Sequence, residues 1–401
     1  MSVFSGRTLP PWWFGGTMAA IFLLQVAVTL ARPVSTYRML ALDAGGTALG
    51  VAAGCFALPP MLLAVGFGRW SEKHHPALLL GFGLAVAAGA SFALVLAESV
   101  LNIALATTAL GIGHMSGTIG AQSLMAQSQS TLSRINRFGM LTTFSALGQI
   151  VGPVTGGVII GHSDQPSLDA TSSALLVAGW VFVAGIPAAI LAWRSRIQRS
   201  TIRTGPAQRV WHLLHRRGMP AALMTSFSAK SGIDLLLVYL PLLGAAVGLT
   251  PSHVGLLLGI SSTGAVLARA ATPAFVQRVP TLRLTVGATA VASACMLLLA
   301  FSSSMFVLVI AMGVLGFALG LSQTTTMDWV VNLVDKTSRG SALGLRVATN
   351  RLGQTFVLVA AGAVSGWLGV RMAFVMLAVV MLSTAASGLV SERGERGDAN
   401  G

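Results

Sequence analysis

Twelve apolar runs, each closed by charged or turn-forming residues, follow one another along the chain. They cover approximately Trp13 to Tyr37, Thr47 to Phe67, Ala77 to Ala97, Leu101 to Met125, Phe138 to Gly161 and Ser172 to Trp193. After a basic, poorly apolar stretch come Met219 to Ala246, Ser252 to Phe275, Leu282 to Phe301, Met305 to Leu333, Ser341 to Leu368 and Ala373 to Val390. A helix needs about 20 predominantly apolar residues to cross a hydrocarbon core about 30 Å thick. In lipid every backbone polar group must pair within its own segment, so each run is predicted to be an α-helix. The expected fold class is an all-α integral membrane protein with twelve transmembrane helices.

Composition agrees: of 401 residues, 54% are hydrophobic and only 9% charged, against about 25% charged in ordinary soluble proteins. The formal charge of +14 would suggest nucleic acid in a soluble chain, but its placement says otherwise. Arg69 and Lys73, Arg134 and Arg137, the seven arginines between Arg194 and Arg217, Arg278 and Arg283, and Lys336 and Arg339 all fall in alternate loops. The opposite loops hold Arg371 and little else basic, with acids at Asp43, Glu98, Asp164 and Asp169. By the positive-inside rule both termini are expected in the cytoplasm, and the charge is an orientation signal with no nucleic-acid partner implied. Trp12, Trp13, Trp193, Trp211 and Trp367 fall where interfacial anchors belong. Cys55 and Cys295 lie in predicted helices and say nothing about redox compartment. Met1 to Pro11 carries no signal-peptide pattern, and the polar tail from Ser391 to Gly401 is expected to be disordered.

The two halves repeat at a constant shift of 205 residues. Gly50 aligns with Gly255, Gly54 with Gly259, Gly111 with Gly316, Arg134 with Arg339, Gly139 with Gly344, Gly148-Gln149 with Gly353-Gln354, Gly157 with Gly362 and Gly161 with Gly366. A register without gaps across so many loops argues for a duplicated six-helix unit arranged as parallel repeats. The expected domains are an N-terminal bundle, residues 1–193, a basic cytoplasmic linker, 194–217, and a C-terminal bundle, 218–401. Gly152-Pro153 becomes Val357-Leu358 in the second half, so the symmetry breaks there.

The fifth run contains Gly139, Gly148, Gly152, Pro153, Gly156 and Gly157 at fixed spacing. Small residues at about one-turn spacing let a neighbouring backbone lie close. Pro153 removes a donor and is expected to kink the helix. The segment resembles the fifth-helix signature, often called the antiporter motif, of the major facilitator superfamily, and it matches at every fixed position. A second stretch, Gly68 to Leu80, resembles the superfamily's loop motif, with Glu72 in the acidic position, Lys73 as the following base and His75 where a second glycine stands. By that resemblance Gly68, Glu72 and Lys73 form a cytoplasmic latch, with Glu72 at the positive N-terminal end of the eleventh helix. The second-half counterpart has Gln277 where the acid belongs. The fourth helix carries Thr107 four residues before Gly111, where drug antiporters commonly carry arginine.

Ionisable groups inside spans are expensive and mark function or pairing. The resemblance implies a central cavity lined by the first, fourth, seventh and tenth helices, and the candidates fall there: Gln25, Arg32 and Arg38; His114; Lys230 and Asp234, which share a face at i, i+4; Gln323; and Asn350 on the neighbouring eleventh helix. The 205-residue shift sets Arg32 opposite Leu237, within about a turn of Asp234, so a contact across the cleft is expected. Asp328 and Arg346 are expected to pair beneath the cavity as part of the gate. Arg269 lies near the inner end of the eighth helix. Asp234, the carboxylate nearest the midplane, is the expected proton acceptor, with Lys230 beside it favouring the charged form.

No metal-ligand spacing, phosphate-binding loop or paired carboxylates suggest an enzyme, a cofactor or ATP drive. The resemblance implies a secondary transporter of the drug:proton antiporter type in the bacterial inner membrane. It would export small amphiphilic compounds by alternating access and could work as a monomer. Arg32, Arg38 and Lys230 outnumber Asp234, which keeps open a carrier of specific organic anions or metabolites, exporting or importing. A third alternative is a membrane sensor that transports nothing.

Overall fold

The computed structural model describes residues 12–127, 134–161, 167–195, 210–216, 218–335 and 338–399. Its first six helices are α1 (Trp12–Ala41), α2 (Gly46–Lys73), α3 (Pro76–Val95), α4 (Val100–Gln127), α5 (Arg134–Ile160) and α6 (Leu168–Ala192). A short α7 (Val210–Leu214) precedes α8 (Met219–Ala246), α9 (Pro251–Val276), α10 (Thr281–Phe301), α11 (Met305–Asn332), α12 (Arg339–Leu368) and α13 (Val370–Ala399). Most of the basic linker lies outside the described residues.

Eleven of the twelve long helices are apolar enough over an 18-residue window to cross a membrane. The exception is α12, whose first half carries Arg346, Asn350 and Arg351. These turn toward other helices rather than lipid, which lowers its hydropathy without shortening it. The chain end also differs from expectation: the backbone stays helical to Ala399, where a disordered tail from Ser391 was expected.

Helices α1 to α6 form one bundle and α8 to α13 the other. In the first, α1 packs on α5 and α6, and α3 on α4 and α6. In the second, α11 packs on α9 and α10, and α13 on α8 and α10. The glycine face of α5 lies on α1: a Cβ at Gly148 would come 2.7 Å from the Phe22 carbonyl oxygen, and one at Gly156 3.3 Å from Leu30. α5 continues through Pro153 as one helix.

The bundles meet along α2 with α12, α5 with α9, and α1 with α8. We call the face where α1 begins and α13 ends the terminal face, and the opposite one the distal face. Toward the distal face the seams are tight. A Cβ at Gly50 would stand 2.7 Å from the Gly362 Cα, and one at Gly255 3.0 Å from the Gly157 Cα. Thr47 Oγ1 donates to the Gly362 carbonyl at 3.5 Å and Ser252 Oγ to the Gly157 carbonyl at 3.1 Å. Tyr239, fully buried, donates to the Leu358 carbonyl at 2.8 Å. Toward the terminal face, by contrast, Gly66, Gly68, Gly139 and Gly344 have no neighbour within 4 Å of a built Cβ. The seams between the bundles are thus packed tightly toward the distal side, while these four glycines meet no described neighbour toward the terminal side.

Candidate functional site

Three helices, α1, α8 and α12, bring charge to mid-depth. Arg32 of α1, 6% exposed, reaches across to α8, where Nη1 donates to Asp234 Oδ1 at 2.7 Å. Asp234 is 1% exposed. Lys230 Nζ lies 2.7 Å from its other oxygen, Oδ2, one helical turn along α8, as an ion pair. One carboxylate is thus held between a cation of each bundle. The Lys230 side chain is 32% exposed, whereas the Asp234 side chain is sealed at 1%.

Behind Arg32 the site continues into the first bundle. Its guanidinium sits 4.5 Å from the Phe56 ring centroid, and His114 stacks on the same ring at 5.8 Å and 26°. A cation over an aromatic face is attracted by the ring quadrupole. His114 Nε2 and Gln25 Nε2 are 3.3 Å apart; with the amide nitrogen as donor, the ring nitrogen is the acceptor. Arg351 of α12 extends toward α4, with Nη2 3.7 Å from Met115 Sδ and Nη1 donating to Gln354 at 3.0 Å. Three cations, Arg32, Lys230 and Arg351, therefore surround one carboxylate. In a low-dielectric interior such an excess attracts a counter-anion. Sequence periodicity gave no signal for Phe56, because an aromatic on an apolar helix reads as core.

Other expected site residues are placed elsewhere. Arg38 does not line the cavity. Its Nε donates to the Ala97 carbonyl at 2.9 Å, and its terminal nitrogens to the Val95 carbonyl at 2.6 Å and Ser172 Oγ at 2.8 Å. It ties α1 to α6 and to the end of α3, a fixed structural cation. Gln323 is also engaged, its Nε2 donating to the Ser226 carbonyl at 3.2 Å. Arg346 and Asp328 do not pair. Arg346 Nη2 donates to the Gln323 carbonyl at 2.7 Å and to Thr326 Oγ1 at 3.1 Å, while Asp328 accepts from Thr281 at 3.1 Å and Asn332 at 3.2 Å. Asp328 is two residues past Thr326, about 200° around the helix, so it faces away. Asn350 is buried, and its Oδ1 has no hydrogen-bond partner among the described residues.

The residues expected to form the latch lie at the end of α2. Glu72 is exposed, with no hydrogen bond or ion pair to a described residue. Instead the end of α2 is fastened to α4: Ser71 Oγ donates to the Gly68 carbonyl at 2.7 Å and meets Ser123 Oγ at 3.0 Å. Lys73 is exposed. His75, in the second-glycine position, caps α3 and joins the turn to the end of α6. Its Nδ1 accepts from the Ala77 amide at 3.3 Å and its Nε2 donates to the Ser195 carbonyl at 3.2 Å.

Beside the charged cluster runs a cleft of about 490 Å³ of empty space, partly open to solvent, bounded by α1, α5, α8, α9 and α11. Both bundles contribute to its wall, as a solute path through a rocking transporter requires.

A Major Facilitator Superfamily family model matches residues 17–340 and again 222–399. Among solved structures, a mutant of the nucleoside transporter NupG is similar with a TM-score of 0.81 at 12% identity, covering 95% of this chain and 99% of that one. A bacterial homolog of the human lysosomal transporter Spinster, inward-facing and occupied, has a TM-score of 0.74 at 14% identity, with 95% and 96% covered. Multidrug resistance protein 1 of Bacillus subtilis (strain 168) is 25% identical over 159 residues, 39% of this chain and 41% of that protein's length. With two six-helix bundles around a shared mid-depth site, a full-length structural likeness and a family match over most of its length, the chain is a multi-pass transporter, not an enzyme, and belongs to the Major Facilitator Superfamily.

Proposed function

We propose that this protein is a proton-coupled secondary transporter of amphiphilic organic anions in which Asp234 carries the proton. The observation that supports it is the clamp on Asp234: Arg32 from one bundle and Lys230 from its own. Cations beside a carboxylate favour its charged form, and removing one raises its affinity for a proton. A solute anion that takes Lys230 therefore promotes protonation of Asp234. Once protonated, Asp234 no longer holds Arg32, and the charged link between α1 and α8 loosens. The bundles can then part on the distal side and close on the terminal side. Solute and proton load together, which is the linkage of co-transport down an inward proton gradient.

Drug:proton antiport is the second reading, supported by the fifth-helix motif and by the similarity to the Bacillus subtilis multidrug resistance protein. It requires a solute that competes with the proton, most simply a cation at Asp234, and Arg32, Lys230 and Arg351 repel one. Orientation with the termini in the cytoplasm, a bacterial inner-membrane location and function as a monomer complete the proposal; every residue of the clamp comes from one chain.

The test is the sign of proton movement in proteoliposomes without an imposed gradient. A permanently charged naphthalene sulfonate, which cannot cross as a neutral acid, is added outside and external pH is followed. External alkalinisation, absent with Asp234→Asn, supports co-transport. Acidification by the sulfonate would overturn co-transport, and acidification by a lipophilic cation would establish drug:proton antiport and overturn the anion proposal.

A further inference from the structure

An arginine in a membrane-spanning helix needs a partner or water, because its charge is costly in hydrocarbon. Arg269 of α9 has no hydrogen bond or ion pair to any described residue, yet it lines the interbundle cleft. Ser261, Ser262 and Arg269 recur at helical spacing and line that cleft together with Gln149 of α5. None of the three polar neighbours has a hydrogen-bond partner among the described residues either. A guanidinium, a carboxamide and two hydroxyls thus present unused donors to one space.

Their depth matches the clamp. At about 1.5 Å rise per residue, Gln149, Ser261 and Asp234 each lie roughly 15–18 Å from the distal ends of their helices. Arg269 is two turns nearer the terminal face, but side chains on a helix lean toward its N-terminus, which for α9 is the distal end. Arg269 is exposed, and a lean of that kind would bring its guanidinium toward the serines. The repeat partner of Arg269 is Ala64, so the duplicated architecture does not require a cation there. Five donors in a planar fork, with hydroxyls and an amide around it, match an acceptor-rich oxyanion.

We propose that Arg269, Gln149, Ser261 and Ser262 form an oxyanion subsite that receives the carboxylate, sulfonate or phosphate group of the transported solute. This deepens the anion proposal and rests on it. Because α5 and α9 belong to different bundles, the bound oxyanion would span them next to the clamp, with the solute's apolar part against Ile233, Leu237 and Leu319 of the same wall.

Binding measured without any gradient separates this subsite from the transport scheme. Purified protein in phosphatidylcholine nanodiscs is titrated with the naphthalene sulfonate and with neutral naphthalenemethanol. The expected result is sulfonate binding at least tenfold tighter than that of the alcohol. It should weaken by about tenfold in Arg269→Gln, fall less in Ser262→Val and be partly kept in Arg269→Lys. Equal affinity for the two probes, no sulfonate binding, or wild-type affinity in Arg269→Gln overturns the subsite. Repeating the titration in phosphatidylglycerol nanodiscs identifies the source of the oxyanion. Unchanged affinity supports a free solute, and suppression in the wild type but not in Arg269→Gln would give the site to a lipid headgroup. Failure of proton-linked flux with retained sulfonate binding would sink the coupling scheme and leave the subsite standing.

Discussion

At the distal face the two seams are built alike. Gly50 on Gly362 and Gly255 on Gly157 are exchanged by the 205-residue repeat, and so are the hydrogen bonds from Thr47 and Ser252 to the glycine carbonyls opposite. At mid-depth the same repeat pairs unlike residues: Asp234 with Thr29, Lys230 with Gln25, Arg32 with Leu237 and Arg269 with Ala64. Closure is symmetric and charge is not. A rocking motion needs two matched seams that open together, because one tight seam alone would twist the bundles instead of parting them. Coupling needs a single titrating group that senses both bundles, and duplication cannot supply that without divergence. Lys230 and Asp234 occupy the i, i+4 positions that α1 fills with Gln25 and Thr29, so the charged pair sits on one side and its cationic partner reaches over from the other.

The largest effect is expected where the asymmetry is removed by one atom's charge. Asp234→Asn leaves Arg32 and Lys230 facing each other without a carboxylate, and breaking a buried pair in this way costs about 3–5 kcal/mol. Replacing the whole cluster, as Arg32→Leu with Lys230→Met and Asp234→Leu, removes the unpaired charge as well, which is commonly near neutral. Thermal unfolding in detergent should therefore order the triple variant close to wild type and well above Asp234→Asn, while proton-linked flux is lost in both. A single variant as stable as the wild type would mean that water already screens the clamp.

Much of this architecture is legible in the amino-acid sequence alone. The apolar runs set the helices, and the glycine register set the duplication, because both depend on spacing alone. The shift also set Arg32 beside Asp234, a contact made through backbone positions that the repeat fixes. What escaped were features decided by rotation and by conformation. Asp328 is near Arg346 in depth but on another face of its helix. Arg38 is close to the cavity in sequence yet has carbonyls of its own bundle within reach. Phe56 carries no charge to mark it. Glu72 was expected at the N-terminal end of the eleventh helix by resemblance alone, and a motif cannot say which contacts a given structure makes.

A smaller effect tests the symmetric seams. Valine at Gly50, Gly362, Gly157 or Gly255 would bring side-chain atoms against facing backbone, and overpacking of this kind costs about 1–3 kcal/mol. Energies of that size shift a closed-to-open ratio by about 5- to 150-fold. Labelling of Thr47→Cys by an impermeant maleimide at the distal face should accelerate in all four backgrounds. Repeat partners, Gly50 with Gly255 and Gly157 with Gly362, should give rates similar to each other. Acceleration confined to one seam would show that the bundles pivot on the other and do not part evenly.

The smallest expected effect lies outside the membrane, at a position where the halves also differ. His75 caps α3 through Nδ1 and holds the end of α6 through Nε2–H, whereas the repeat places Pro280 there. Burial holds its pKa below the ordinary 6.5. A base with a depressed folded-state pKa stabilises the fold fully above its unfolded value, and this contribution shrinks as pH falls below about 6.5. The chemistry agrees, since a proton on Nδ1 removes the acceptor that caps the helix. His75→Ala should lower stability by about 1 kcal/mol near pH 8, the usual worth of a cap. The gap to wild type should narrow toward pH 5, because the wild type weakens there and the alanine variant has no such proton to gain. A flat gap would mean that folding leaves the proton affinity of His75 unchanged, and one that widens on acidification would mean that the imidazole is held as imidazolium and anchors the turn by charge. The loop motif's histidine would then act as a cation beside the Ser195 carbonyl, not as the neutral cap that its two hydrogen bonds describe.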